Sequence, residues 1–446
     1  TLMEDSVPTA PAPYSSPAAY YAPAVGRMDG VEVLKGSSQI KYGPHTSGGV
    51  VNYLSTPIPA DEKIYGRSMF GTDGEIRNHV YYGATRDTDA GRFGYLVEYY
   101  DRQTDGFKTI DATPDFTDTD RTGFHKREPM LKLSWEPNTD NYQLLEFKIG
   151  YSDKTAYETY MGLADPDFKA DPYRRYAGSR FDVINSEHLR SYLRHHVEIS
   201  PDTRLTTTVY YNDFKRNWFK ENSNGGSLGN PAKLAVLKGE AAGELIYRNN
   251  NREYYSGGIE SVLAFDKQTG ELDHAIEVGV RVHQDQHARF QRDDVYVQTA
   301  NGTITERING IPGGAGNRKE DAEAIAIFAQ DAITRGAWTI VPGFRYEHVK
   351  NEYRDYDTKG NPGAVTAKGE DTLDIFAPGI GAVVNVSEQS SFFGGVYRGF
   401  SVPEPRAHVK DGIEEETSTG YELGYRFNDR KALNAEVALF YTDFND

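Results

Sequence analysis

Among the side chains able to do chemistry, the histidines are the first to test. His195 and His196 are adjacent in a segment of period two, so their rings point to opposite faces of a strand and cannot share a metal ion. His283 and His287 are four apart in the same kind of segment, about 13 Å of extended chain rather than one helical turn. The Gly-Gly pairs at 225–226, 257–258 and 313–314 lack the strand-turn-helix setting in which a glycine loop cradles phosphates. Cysteine is absent, which removes thiol nucleophiles, Cys-based zinc sites and iron–sulfur clusters. No catalytic constellation emerges, and neither enzyme activity, a cofactor nor a protein-held metal is expected. What remains is charge: Arg174, Arg175, Arg180, Arg307, Arg318 and Lys319 concentrate in two long polar stretches of a chain whose formal net charge is −17. Such cations could steer an anion, or equally pair with Asp165, Asp167, Asp171 and Asp321. The overall acidity argues against nucleic acid as a partner.

The elements that carry these residues follow from periodicity. From about residue 62 to the end the period is two. Phe93, Tyr95, Val97 and Tyr99 make an apolar face opposite Gly94 and Glu98. Ile276, Val278, Val280 and Val282 do so opposite Glu277, Arg281, His283 and Asp285. Fifteen strands are predicted between residues 62 and 444, including 203–219, 251–265, 272–292 and 338–354. Short polar turns alternate with long connections at 103–122, 154–188, 220–250, 293–319, 355–370 and 401–416. A membrane β-barrel places its short turns at one rim and its long loops at the other, with aromatic girdles between, and needs no run of apolar residues. An odd strand count leaves an edge that lipid cannot satisfy, so the barrel is expected to be incomplete and the structure to show an open arc.

The first sixty residues differ. Residues 1–26, rich in Pro, Ala, Ser and Tyr, are expected to be irregular. Short strands are predicted in Met28-Asp-Gly-Val-Glu-Val-Leu-Lys-Gly36 and Gly48-Gly-Val-Val-Asn-Tyr-Leu54, with a turn or single helical turn through Ser37-Ser-Gln-Ile-Lys-Tyr-Gly-Pro44 between them. Two short strands cannot bury a core, so they must pack against something else.

Residues 27–57 strongly resemble the end of the plug domain of TonB-dependent outer-membrane receptors. Glu4-Asp5, Ala12-Pro-Tyr14, Val396-Tyr-Arg-Gly-Phe-Ser-Val-Pro403, Glu414–Arg426 and Ala435–Phe444 are similar to the ferric-dicitrate branch of that family. The resemblance implies an all-β, transmembrane antiparallel barrel of 22 strands around an internal plug, with about 15 strands present. Residues 1–60 would be the C-terminal part of the plug and 61–446 the N-terminal two-thirds of the barrel. The remaining strands, the start of the plug and the TonB box would lie outside this sequence.

The implied function is active import of a ferric chelate, a siderophore or ferric citrate, across the bacterial outer membrane, energised by the TonB–ExbB–ExbD complex. Iron would enter only as part of the chelate, and outer-membrane lipid would surround the wall. The alternatives are uptake of a non-iron ligand and surface capture of a macromolecule. For an anionic chelate the expected contacts are Tyr14 and Ser15 on an outward plug loop, and Arg248, Arg252, Gln284, Arg289, Arg292 and Arg318 at strand ends. Arg27, Asp29, Glu32 and Lys35 are expected to hold the plug to the wall, and Gly36, Gly43, Gly48 and Gly49 to serve sharp turns or close backbone passage.

Overall fold

Strands with one apolar and one charged face satisfy their backbone only by pairing with each other, and from residue 63 onward the chain does this in strict succession. A computed structural model describes all residues except 18–19, 223–227 and 446, and all side chains except those of 37, 38 and 445 as well. The Gly225–Gly226 pair thus lies outside the described residues. The wall consists of β1 (Lys63–Phe70), β2 (Ile76–Thr88), β3 (Gly91–Thr104), β4 (Phe124–Pro137), β5 (Gln143–Ala156), β6 (Val183–Ser200), β7 (Thr203–Glu221), β8 (Gly243–Thr269), β9 (Leu272–Gln298), β10 (Gly316–Arg335), β11 (Trp338–Tyr356), β12 (Val365–Asn385), β13 (Ser390–Ser401), β14 (Glu416–Asn428) and β15 (Asn434–Asn445). Each pairs antiparallel with its sequence neighbours, and Ile304–Ile308 doubles back on β9. The path is open: among the described residues no pairing joins β1 to β15.

All fifteen predicted strands are present, but five are longer than expected by six residues or more, those expected at 190–199, 321–333 and 372–385 beginning at Val183, Gly316 and Val365. The strand expected at 251–265 begins at Gly243, and the one expected at 272–292 continues to Gln298. The extra turns of ladder are held from outside the alternating pattern. Leu245, Tyr247 and Tyr296 are buried with Tyr176 and Leu237 from the long loops, an apolar cluster assembled by residues far apart in sequence. Those loops also hold the short helices α1 (Asp165–Ala170), α2 (Pro231–Leu237) and α3 (Pro405–Asp411). Asn230 caps α2, its side-chain oxygen accepting from Ala232 N at 3.0 Å and Lys233 N at 3.3 Å.

The plug is a four-stranded sheet inside the arc. Met28–Leu34 pairs antiparallel with Val50–Ser55, which pairs parallel with Leu2–Glu4, which in turn meets Val7–Pro8. Residues 1–26 are therefore not all irregular. Leu2–Glu4 is too short to show a period, and its partner is distant in sequence. Residues 36–39 form the single helical turn that precedes Tyr42-Gly-Pro44.

The wall buries its charges and exposes its valines. Arg281, His283 and Asp285 of β9 are 5, 2 and 0% exposed, while Val278, Val280 and Val282 are 39, 44 and 49% exposed. Water as the outer solvent would penalise this arrangement, and lipid favours it. Among the described residues no helix is long and apolar enough to cross a membrane. Val280→Arg should cost about 2–4 kcal/mol if near the bilayer midplane. Loss of heat-modifiable electrophoretic migration by the folded barrel would report it, whereas unaltered assembly would contradict the face assignment.

Candidate functional site

The lumen is organised by two sets of plug anchors and a row of arginines. Arg27 ends the turn that leads into Met28–Leu34 and is 1% exposed. Its Nε donates to Glu128 of β4 at 2.6 Å, its Nη2 to both carboxylate oxygens of Glu4 at 3.0 Å, and its Nη1 lies 3.9 Å from Glu98 of β3. His79 is 2.8 Å from Glu98, which also accepts from the Thr56 hydroxyl. Lys148 of β5 donates to Glu4 and Asp5, each at 2.6 Å, and to Ser55 Oγ at 3.0 Å. Lys126 reaches Glu128 at 2.7 Å and Lys132 reaches Asp5 at 3.5 Å. Burial opposes ionisation of Glu4 and Asp5, yet the facing cations hold both carboxyls well below the usual range: Arg27, Lys148 and Arg190 for Glu4, Lys148 and Lys132 for Asp5.

Tyr14 and Ser15 lie at the wall rather than in open lumen. Their backbone N–H groups donate to the two oxygens of Asp285, at 2.7 and 2.9 Å. The Tyr14 hydroxyl donates to Glu347 at 2.9 Å and accepts from Arg281 at 2.8 Å. Arg281 also donates to Gly43 O at 2.9 Å, and Arg345 joins Glu347 at 2.6 Å to Lys41 O at 3.1 Å. A Cβ on Gly43 would stand 2.5 Å from the Glu347 carboxylate and 2.7 Å from Arg345 Nε, so any larger residue would have to shift the Arg345–Glu347 pair.

The other plug residues singled out divide. Gly36 and Gly49 have φ of +65° and +91°, which favour glycine, whereas Gly48 faces open space and has no such need. Asp29, Glu32 and Lys35 are exposed, and Glu32 accepts from Asn52 within the plug at 2.8 Å.

Towards the long-loop rim, Arg216 (β7), Arg252 (β8), Arg289 (β9) and Arg318 (β10) are direct cross-strand partners in succession. At about 4.8 Å per strand the row extends roughly 14 Å. Below it on the lumenal face run His188, Phe214, Tyr254 and His287, also direct partners. Like charges opposite one another in a sheet are destabilising, and here they are incompletely compensated. Arg216 is 2% exposed, its Nη1 donates to Asn250 O at 3.3 Å, and among the described residues no carboxylate pairs with it and its Nε and Nη2 meet no well-aligned acceptor. Among the described residues Nε of Arg252 and of Arg289 also has none. Arg318 Nε is 2.8 Å from Glu320, but without the alignment of a hydrogen bond. Tyr20 of the plug lies under the Arg216 guanidinium at 3.8 Å and within 5.9 Å of Arg252.

Three expected arginines thus fall in one row with Arg216, which the sequence reading missed. Its only signal was lumenal parity, and the row itself exists only in the register. Arg248 shares the face but is neutralised by Asp293, at 2.7 and 2.8 Å. Gln284 lies on the outer face, exposed, with Tyr255 at 3.4 Å, because it alternates with lumenal His283 and Asp285. Arg292 is three residues from Arg289, hence on the opposite face, and pairs with Asp294 at 3.1 Å. Of the loop arginines, Arg174 pairs with Asp111 at 2.8 Å and Asp167 at 3.2 Å and Arg307 with Asp294 at 3.0 Å, whereas Arg175 and Arg180 donate to Thr159 and to backbone carbonyls. Among the described residues no cluster of His, Asp and Glu is arranged to hold a metal ion.

Residues 64–446 match the family described as "TonB dependent receptor-like, beta-barrel". The chain is similar to the metal-pseudopaline receptor CntO of Pseudomonas aeruginosa, 21% identical over 422 residues, covering 91% of this chain and 55% of that protein. It is 20% identical to the ferric enterobactin receptor of Pseudomonas aeruginosa over 472 residues, covering 94% of this chain and 55% of that protein. The chain thus spans about half the length of these curated relatives. Its fold matches the unliganded ferric citrate transporter FecA with a TM-score of 0.76 at 22% identity, over 100% of this chain and 61% of that one. It also matches the pyoverdine receptor FpvA of Pseudomonas aeruginosa with a TM-score of 0.71 at 14% identity, over 99% of this chain and 61% of that one.

Proposed function

Since this chain belongs to the TonB-dependent receptor family of outer-membrane β-barrels, we propose that it serves the active import of an anionic ferric chelate, a hydroxycarboxylate complex such as ferric citrate. The names of its relatives span ferric citrate, ferric enterobactin and metal-pseudopaline. The observation that favours a polycarboxylate among them is the arginine row: guanidinium forks match carboxylates, and buried N–H groups without acceptors call for an anion. The iron of such a cargo is already ligated, so the lumen has to recognise the outer surface of the complex and needs no metal ligands of its own.

The same geometry connects cargo to plug. A chelate on Arg216 and Arg252 also touches Tyr20, and seven residues later the chain enters the Arg27 cage. Force delivered to the plug through TonB has to part charged hydrogen bonds as well as the apolar contacts of Val7, Ala12, Tyr14 and Tyr21 with the wall, and water can solvate the separated charged groups. Radioactive ferric citrate uptake by cells carrying the receptor should stop when the inner-membrane proton gradient is collapsed, while surface binding persists. Uptake that continues undiminished would identify a passive pore and overturn this reading.

A further inference from the structure

The arginine row has one anionic partner that can leave. Glu320 is 0% exposed, belongs to β10 and accepts from Arg406 N at 3.2 Å, so it is fixed in the wall. Glu404 sits in the 401–416 loop, 33% exposed, with its carboxylate bridging Arg289 at 3.5 Å and Arg318 at 3.7 Å. These contacts are longer than the 2.7–2.9 Å usual for charged hydrogen bonds, so each is weak. Glu404 is the residue before α3, yet its side chain makes no capping bond to the helix and turns to the arginines. The helix is tied to the wall without it: Arg406 Nε donates to both oxygens of Asp355 at 3.2 Å, and Arg406 N donates to Glu320 at 3.2 Å.

We infer that Glu404 sets how strongly the receptor prefers anionic cargo, as a tethered carboxylate that competes for Arg289 and Arg318 and so lowers the affinity of ligands bringing carboxylates of their own. The inference rests on the import of an anionic chelate proposed above. A neutral chelate gains nothing from the two arginines and leaves the Glu404 bridge in place. An anionic chelate replaces one long, shared contact with shorter charged hydrogen bonds and would otherwise be repelled by the like charge of Glu404.

Calorimetric titration of the purified full-length receptor tests this with ferric citrate and a neutral ferrichrome-type hydroxamate as probes. Glu404→Gln should tighten ferric citrate about tenfold and leave the neutral chelate unchanged, with Glu404→Ala doing the same without the added amide. In an Arg289→Gln/Arg318→Gln background, the gain from Glu404→Gln should vanish, because the competitor then has nothing to occupy. Unchanged or weaker ferric citrate binding by both Glu404 variants, or an equal gain in the double-arginine background, would overturn the inference while leaving the proposed cargo standing. Failure of the wild-type receptor to bind ferric citrate would overturn both.

Discussion

Arg27→Ala should loosen the plug from the wall by about 3–5 kcal/mol, the usual cost of removing one partner from a buried ionic cluster. The penalty arises less from lost attraction than from Glu4, Glu98 and Glu128, which stay buried around a missing cation. Hydrogen exchange over residues 1–56 of the intact receptor should rise strongly in the variant. Adding Glu128→Gln should restore part of the protection by removing one stranded charge. The cage also predicts a pH response. Glu4 and Asp5 have carboxyl pKa values lowered in the folded protein, so their ionised pairs contribute full stability above the unfolded value of about 4. That contribution declines as pH falls below it towards the depressed folded values. Plug protection should therefore hold from neutrality to about pH 5 and decline below about pH 4. Unchanged exchange in Arg27→Ala would show that other contacts hold the plug.

Arg216→Gln/Arg252→Gln should weaken ferric citrate binding by tenfold or more per arginine, since a charge-assisted hydrogen bond contributes roughly 1.5–3 kcal/mol and about 1.4 kcal/mol is a factor of ten. The same double variant should melt at a higher temperature than wild type, because two directly opposed positive charges leave the row. A site built for an anion carries this combination of lost binding and gained stability, which a purely structural pair would not. Arg292→Gln and Gln284→Ala, on the opposite face, should leave binding unaltered.

The wall was legible because period two assigns both strand and face, and the alternation of turn and loop lengths assigns direction. The same period, applied consistently, also places Gln284 and Arg292 outside the lumen, since both continue the parity of Val280 and Val282. Other features exceed what a pattern along the chain can carry. Leu2–Glu4 is a strand only because Val50–Ser55 lies beside it. Glu4, Asp5 and Lys148 form one cluster through tertiary placement, and the upper ends of β8 and β9 are set by loop aromatics. The arginine row depends on the register of four strands, where a shift by one residue would send a side chain to the other face. Tyr14 and Ser15 were plausible cargo contacts from the plug sequence, but they bond to Asp285, while Tyr20 lies against the row.

The measurement closest to the central claim is a titration of the purified receptor with ferric citrate and with a neutral ferric hydroxamate at low and high salt, using wild type and Arg216→Gln/Arg252→Gln. The arginine row predicts that wild type prefers ferric citrate, that this preference shrinks as salt screens the charges, and that the double variant loses it. A preference for the neutral chelate, or ferric citrate binding indifferent to the double substitution, would contradict the account.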